Sequence, residues 1–351
     1  MSDRSHATGL GEEAVVAASA AVPAAAGTVR RRGGLGWWIV RRLAAGVVVV
    51  LLVSVVVFAA TQALPADPAE AILGRGATPD RIAALRAELG LERGLVQQYL
   101  DWIGGLLGAD LGRSLAANVP VGELIGDRLV NSLVLLGLAG MISLPLAVLL
   151  GALSAVRRDG IADRLGLGIS LVLTAVPDFV IGMTLVMVFA TSVLTILPAV
   201  ALIPAGSSPL AHPDTLVLPV ATLVLAVVPY LYRLVRASMI DVLESDYAQM
   251  ARMKGMPRGV VMRRHALPNA LVPTIQASAL VLGYLLSGTI LVEYVFRYPG
   301  LGSALADAIS SRDLPVIQAI TLIYAVAVVA FNLLADVLTV LVTPKLRTAG
   351  R

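Results

Sequence analysis

Few side chains of this chain are arranged for covalent chemistry. The sequence has no cysteine, and its three histidines, His6, His212 and His265, lie far apart. These features exclude a thiolate site and disfavour a histidine metal site. The phosphate-cradling pattern G-x-x-x-x-G-K-[ST] and the hydrolase patterns G-x-S-x-G and H-E-x-x-H do not occur. We therefore expect no catalytic site, no metal and no cofactor bound by this chain.

One carboxylate interrupts a long apolar stretch. Asp178 follows Pro177 inside the apolar residues 165–196. A carboxylate within a membrane is costly, so it indicates a function or a buried partner. Asp178 could line a translocation cavity and meet a substrate amino group. Alternatively, it sits at a proline kink, where it is protonated or bonded to backbone groups that the kink frees.

The segment with the clearest local order of signals is ESDYAQMARMKGMPRGVVMRRHALPNALVPT, residues 244–274. Ser245 or Asp246 can cap a short helix, and Gly255 can end that helix with a positive φ before Pro257. The helix would offer Tyr247, Met250 and either Met253 or Met256 as projecting side chains. Alternatively, the segment is an ordinary basic loop held near anionic lipid.

The elements that position these residues are long apolar helices. The chain is 58% hydrophobic and only 14% charged, with a mean hydropathy of +0.86, whereas a soluble domain has about 25% charged residues. Apolar stretches long enough to cross a bilayer run over about 37–63, 132–156, 165–196, 216–232, 271–292 and 316–342. We predict an all-α integral membrane protein with six transmembrane helices.

The positions of the basic residues predict the orientation. Most of the 27 Lys and Arg residues fall at the termini and in the segments that share their side of the membrane. The positive-inside rule then places both termini on the cytoplasmic side of the membrane. The net charge of +4 is therefore a topology signal, and we expect no nucleic-acid partner.

The predicted divisions follow from these stretches. Residues 1–34 form a disordered cytoplasmic tail, with a weak secretory signal as the alternative. Residues 35–63 form the first transmembrane helix and 64–130 an extracytoplasmic helical loop. Residues 131–343 form a five-helix core that includes the cytoplasmic segment 244–268, and 344–351 form a cytoplasmic tail.

Two helices are predicted in the extracytoplasmic loop. Thr78 can cap the first, Pro79 can start it and Gly90 can end it. The second runs from Leu95 to Leu107 and places Tyr99, Trp102, Ile103 and Leu106 on one face. Both could pack on the outer mouth of the bundle or lie in the membrane surface.

Residues 244–274 resemble the EAA loop of ABC importer permeases, and more narrowly that of the first-subunit type of the dipeptide, oligopeptide and nickel family. Further blocks of similar sequence occur in the same order from about residue 35 to 347, among them VEYVFRYPGLGSALADAISSRDLPVIQA. Gln249 stands where the EAA glutamate is expected, and Thr343 departs from the family's C-terminal pattern. The positions that match the loop pattern are Asp246, Tyr247, Ala251, Arg252, Lys254, Gly255, His265, Asn269 and Pro273.

This resemblance implies a type I (MetI-like) permease bundle whose matched loop couples it to ATP hydrolysis. It implies a second homologous permease subunit, two ATP-binding subunits that use ATP and Mg, and an extracytoplasmic substrate-binding protein, all at the lipid of a bacterial cell (inner) membrane. The expected solutes are di- or oligopeptides, with nickel chelates, glutathione or opines as alternatives. An ion-driven secondary transporter is a different class, which would favour charged relays within the membrane. A membrane-embedded enzyme lacks a candidate site.

Glu293 and Arg297 flank the outer end of the fifth apolar stretch and precede Pro299 and Gly300. These four residues could form an outer gate or a docking face for the binding protein. Alternatively, they form a solvated turn that closes the bundle.

Overall fold

The computed structural model describes residues 35–63, 69, 73, 77–88, 90, 92–204, 206–262 and 266–342. Within these ranges the regular structure is helical, apart from an isolated bridge between Arg113 and Pro120. The predicted terminal tails, residues 1–34 and 344–351, lie outside the described residues. The all-α prediction is confirmed.

The described helices are α1 Leu35–Gln62, α2 Pro79–Glu88, α3 Leu95–Leu107, α4 Val121–Val156, α5 Ile161–Ala175, α6 Asp178–Val186, α7 Pro213–Glu244, α8 Asp246–Met253, α9 Arg258–Val261, α10 Leu267–Val295, α11 Leu301–Ser311 and α12 Leu314–Val342. A π-helical turn, Met187–Thr191, continues α6, and a 3-10 turn, Pro209–Ala211, precedes α7. The bundle has two ends, which are named here after their short helices: the α8 end and the α11 end.

The long helices are those of a membrane protein. In the described part of the chain, α1, α4, α7 and α12 are each long and apolar enough to cross a membrane. The helices α5 and α6 form a fifth candidate, bent by 103° at the break that Pro177 predicts. The helix α10 has 29 residues, and its part Val281–Val295 is an apolar helix of 15 residues. The count of six therefore stays a prediction.

The helix α7 is the centre of the bundle. It packs against α4, α5, α6 and α10, and Leu218, Leu223, Val227 and Leu231 from it are buried in the main apolar cluster. Where α4 crosses α7, a Cβ on Gly151 would lie 2.9 Å from the Tyr232 carbonyl oxygen. Small residues let membrane helices approach closely, so dispersion contacts hold this pair together.

The helix α1 lies at the periphery, against α12. At the α8 end, Arg42 forms an ion pair with Asp336, with 2.7 Å between Nε and Oδ2. At the α11 end, the Gln318 amide donates to the Thr61 hydroxyl at 2.7 Å in a buried contact. These two polar contacts fix the position of α1 on α12, because the remaining apolar surface does not by itself specify one position.

Two helix boundaries differ from the sequence prediction. The helix α4 begins at Val121, so the last ten residues of the predicted loop 64–130 are helical, and α7 continues past residue 232 to Glu244. The reason is the same in both cases. Hydropathy detects the apolar middle of a helix, whereas helical hydrogen bonds continue through charged residues such as Asp127 and Arg236.

The outer helix α3 has the predicted bounds and packs through its predicted face. Tyr99 and Trp102 contact Phe58 of α1, with ring centroids 5.5 Å and 6.0 Å away, and the Tyr99 hydroxyl lies 2.8 Å from that of Ser54. Its other side exposes Leu100 and Leu107, as a helix at a membrane surface would.

A buried aspartate, Asp313, fixes the segment that precedes α4. This side chain lies between α11 and α12 and accepts hydrogen bonds from the Ser114 hydroxyl and from the backbone N–H groups of Leu115, at 3.1 Å, and Ala116, at 3.3 Å. Because the carboxylate satisfies three donors of one turn, the segment is held against the α11 end of the bundle.

Candidate functional site

The short helix α8 follows α7 after a single residue, Ser245. The backbone of Ser245 is extended, with φ −66° and ψ 151°, so the chain changes direction there. The predicted side-chain cap is wrong for Ser245, because its hydroxyl donates instead to the Val242 carbonyl at 2.5 Å. The backbone carbonyl of Ser245 accepts from Ala248 and Gln249 and thereby starts the helix. This N-terminal turn thus rests on backbone hydrogen bonds.

The helix α8 ends as its sequence predicts. Gly255 has φ +78°, and its N–H donates to the Arg252 carbonyl at 2.9 Å. The Met256 N–H returns to the Ala251 carbonyl at 3.3 Å. Helices commonly end in this way, with a residue of left-handed backbone conformation and two N–H groups that donate to carbonyl groups of the last turn. Pro257 then directs the chain into α9.

The two faces of α8 differ in character. Its inner face buries Ala248 and Ala251 against Val261 of α9, and Met256 packs on this cluster. The other face exposes Tyr247, Met250 and Met253. The alternative between Met253 and Met256 is therefore resolved in favour of Met253.

The charged and polar members of the predicted loop surround this face. Asp246, Arg252 and Lys254 are exposed on or beside α8, and Asn269 lies in the first turn of α10. His265 lies outside the described residues. The arrangement is a short amphipathic helix with large, adaptable side chains on its free face, which suits it to bind a groove in another protein.

A buried ion pair, which the sequence prediction missed, lies next to this segment. Arg236 of α7 binds Asp163 of α5 through two contacts, Nε–Oδ1 at 2.6 Å and Nη2–Oδ2 at 2.7 Å, and Asp163 is 1% exposed. Asp163 also accepts from the Ser154 hydroxyl of α4 and from the Asp159 N–H at 2.9 Å. One carboxylate thus ties together three helices at the α8 end. The sequence does carry a signal for this ion pair, because Asp163 and Arg236 are opposite charges beside two neighbouring apolar stretches.

Asp178 lies at the start of α6 and lines a cavity of about 440 Å³. Its two carboxylate oxygens accept from the hydroxyl of Tyr284 on α10 at 3.0 Å and 3.2 Å. The cavity is formed by the α5–α6 break, α7 and α10, and its lining also includes Thr174 and Tyr230. Arg233, one turn beyond Tyr230 on α7, donates to the Thr174 hydroxyl at 3.0 Å. This cavity therefore carries a few polar groups on mostly apolar walls, as ligand sites do.

Glu293 does not form the exposed surface that its sequence context suggested. Its side chain is fully buried, and it accepts from the Ser132 hydroxyl at 2.5 Å and from the Gly302 N–H at 2.6 Å. It therefore caps the N-terminus of α11, where a negative charge is favourable. Gly300 is also buried, Pro299 is half-buried and Arg297 is exposed. A tertiary contact thus covers Glu293 and Gly300, so neither offers an exposed docking surface, and the outer gate or docking face stays a prediction.

The close packing of this capping turn predicts that a larger side chain at Gly302 destabilises the protein. A Cβ on Gly302 would overlap the Cα of Ile290 in α10, so Gly302→Ala must displace backbone. We expect Gly302→Ala to cost about 1–3 kcal/mol of stability, the usual range for overpacking. Gly283→Ala is the control. Gly283 lies in α10, as Ile290 does, and no atom lies within 4 Å of its added Cβ. Thermal unfolding of the two purified variants in detergent measures the difference, and equal midpoints would contradict the packing described here.

In the described part of the chain, no three His, Cys, Asp or Glu side chains lie together as a metal site would need. The candidate features are therefore the α8 surface, the ion pair behind it and the Asp178 cavity.

Comparison with known proteins gives consistent matches over most of the chain. The model of the binding-protein-dependent transport system inner membrane component matches residues 147–348, and a model of the N-terminal part of such membrane components matches residues 36–135. A Brucella abortus protein that carries the name of a peptide transport system permease is 35% identical over 294 residues, which are 84% of this chain and 93% of the relative.

Two further relatives carry another solute in their name. The glutathione transport system permease protein GsiC of Pectobacterium atrosepticum is 37% identical over 295 residues, and GsiC of Escherichia coli is 36% identical over 294 residues. Each alignment covers 84% of this chain and 93% of the relative. The similarity therefore extends over nearly the full length of these relatives.

Proposed function

Since this chain belongs to the family of inner membrane components of binding-protein-dependent transport systems, we propose that it is the permease of a peptide importer and that α8 couples it to an ATP-binding subunit. Family membership makes the chain a permease subunit rather than an ion-driven secondary transporter. Peptides are the favoured solute because relatives that cover 84% of the chain are named for peptide and glutathione transport, and glutathione is itself a small peptide.

The free face of α8 is the observation that carries the coupling role. Tyr247, Met250 and Met253 are between 45% and 79% exposed on a helix that is otherwise held firmly by Gly255 and its inner cluster. Large apolar side chains in this setting indicate a protein partner. The helix follows α7 after one residue, so a force on α8 reaches the centre of the bundle directly.

We propose an assembly of the kind that the family implies. A second homologous permease completes the path, two ATP-binding subunits lie at the α8 end, and a binding protein docks at the α11 end. We assign the α8 end to the cytoplasm because it carries most of the basic residues. This chain contributes to the path and to the coupling surface, whereas ATP and Mg are used by the partner subunits. Closure of those subunits would shift the bundle between its inward-open and outward-open states.

Site-specific crosslinking tests the coupling role. The chain has no cysteine, so Met250→Cys and Met253→Cys each create a unique attachment point for a photoreactive maleimide. In the assembled transporter we expect both to form adducts with an ATP-binding subunit. Leu107→Cys, which is also exposed but lies on α3, is the labelled control and should not reach that subunit. Adducts from α8 with lipid alone would refute the proposal.

A further inference from the structure

The cavity beside Asp178 has the size and lining of a small-molecule site. Its volume of about 440 Å³ falls within the range of about 300–1,000 Å³ that is common for ligand pockets. It lies where the chain breaks between α5 and α6, and two further walls come from α7 and α10. A broken helix leaves backbone polar groups at membrane depth, where they are tolerated only if they are buried in protein or line a water-filled cavity.

The carboxylate in this cavity has unused capacity to accept hydrogen bonds. Asp178 receives one hydroxyl proton, that of Tyr284, which is shared between its two oxygens. A carboxylate can accept about four hydrogen bonds. Among the described residues, no Lys, Arg or His forms an ion pair with Asp178. A cation that enters the cavity would therefore find a negatively charged partner that no protein cation neutralises.

A positive charge lies beside this cavity, although Arg233 is not one of the residues that line it. Arg233 donates to the Thr174 hydroxyl at 3.0 Å and to the Ser170 carbonyl at 3.3 Å. Both acceptors are neutral, and in the described part of the chain no carboxylate pairs with Arg233. Arg233 lies three residues after Tyr230, so the two share a helix face about 4.5 Å apart along α7. Through its contact with Thr174, which lines the cavity, this positive group lies beside the site that holds the carboxylate.

We infer that this cavity binds a zwitterionic peptide in transit, with the free N-terminal ammonium at Asp178 and the C-terminal carboxylate toward Arg233. The inference rests on the proposed peptide-importer function and adds the recognition chemistry to it. An ammonium offers three donors, so it binds both oxygens of Asp178 through the acceptor capacity that the Tyr284 hydroxyl leaves free. The opposed charges compensate for the water that each end of the peptide loses on entering the membrane.

Two substitutions separate this role from a structural one. Asp178→Asn and Tyr284→Phe both weaken the same hydrogen bond, but only Asp178→Asn removes the negative charge. We expect Asp178→Asn to reduce uptake of radiolabelled alanyl-alanine about tenfold or more, as the loss of a charge-assisted hydrogen bond predicts. Tyr284→Phe should retain most of the uptake, and Asp178→Glu should restore part of it. Uptake is measured in proteoliposomes with the complete transporter and its binding protein.

A control variant and an ATPase measurement distinguish failure of this inference from failure of the proposed function. Asp336→Asn removes an acid from the peripheral contact between α12 and α1, so it is the control and should behave as the wild type. In Asp178→Asn, the ATPase activity that the loaded binding protein stimulates should persist, because coupling through α8 is unchanged. Equal defects in Asp178→Asn and Tyr284→Phe, or wild-type uptake in Asp178→Asn, would overturn the inference and leave the importer function standing. No uptake of alanyl-alanine or of glutathione by the wild type would instead refute the peptide substrate, and the inference with it.

Discussion

Gly255→Val should uncouple transport from ATP hydrolysis while the protein still inserts into the membrane. Gly255 has φ +78°, and a residue with a Cβ pays about 1–2 kcal/mol in this region. That cost corresponds to about a 5- to 30-fold lower population of the bent conformation that presents α8. No atom lies within 4 Å of an added Cβ, so the effect must come from the backbone and not from a clash. Peptide uptake and stimulated ATPase activity in proteoliposomes measure it.

A graded series identifies the cause of this effect. Gly255→Asn should be milder than Gly255→Val, because asparagine tolerates left-handed backbone and β-branched residues do not. Gly259→Val is the control: Gly259 lies in α9, has no positive φ and has open space at its Cβ position. We expect it to keep most of the activity. Full uptake in Gly255→Val would show that the end of α8 has no part in coupling.

Arg236→Ala should cause the largest loss of stability among the changes considered for this chain. It would leave Asp163, which is 1% exposed, as an unpaired charge between α4, α5 and α7. Breaking a buried ion pair in this way typically costs about 3–5 kcal/mol. The thermal midpoint of the purified protein in detergent, and its yield from membranes, should both fall.

The matched control is a second arginine–aspartate pair that differs mainly in burial. Arg42 and Asp336 are also 2.7 Å apart, but their side chains are 51% and 25% exposed. Arg42→Ala should therefore cost only about 0–1 kcal/mol. The double variant Asp163→Asn/Arg236→Gln should be less harmful than Arg236→Ala, because it removes both charges. Equal midpoints for Arg236→Ala and Arg42→Ala would contradict the structural importance of the buried pair.

Features that depend on neighbouring residues in the sequence were predictable. The bounds of α3, the left-handed Gly255 and the break at Pro177 each follow from local rules of helix formation, in which a few adjacent residues decide the backbone conformation. The long apolar helices follow from hydropathy for the same reason. The resemblance to importer permeases added the family, which no local rule could supply.

Features that depend on contacts between residues far apart in the sequence were not predictable. Glu293 looked exposed because it ends an apolar stretch, but α11 folds back so that its N-terminus meets this carboxylate. Asp163 and Arg236 lie on different helices, and nothing in the sequence around either residue shows that α5 packs on α7. Asp178 was singled out as a charge in an apolar stretch, whereas its partner Tyr284 comes from a helix more than a hundred residues away.

The Asp163–Arg236 pair divides α7 into two parts of unequal length. The ratio of these lengths determines how a displacement at one end of α7 relates to the displacement at the other. If this pair is the pivot, the eight residues to Glu244 form a short arm of about 12 Å, and the 23 residues back to Pro213 form a long arm of about 35 Å. A stroke of about 1 Å at the short arm then becomes about 3 Å at the far end, in the opposite direction, as long as α7 moves as a rigid rod. Bending at Pro219 or Pro229 would shorten that stroke, so the stiffness of α7 at these two prolines would determine how far the distant mouth opens.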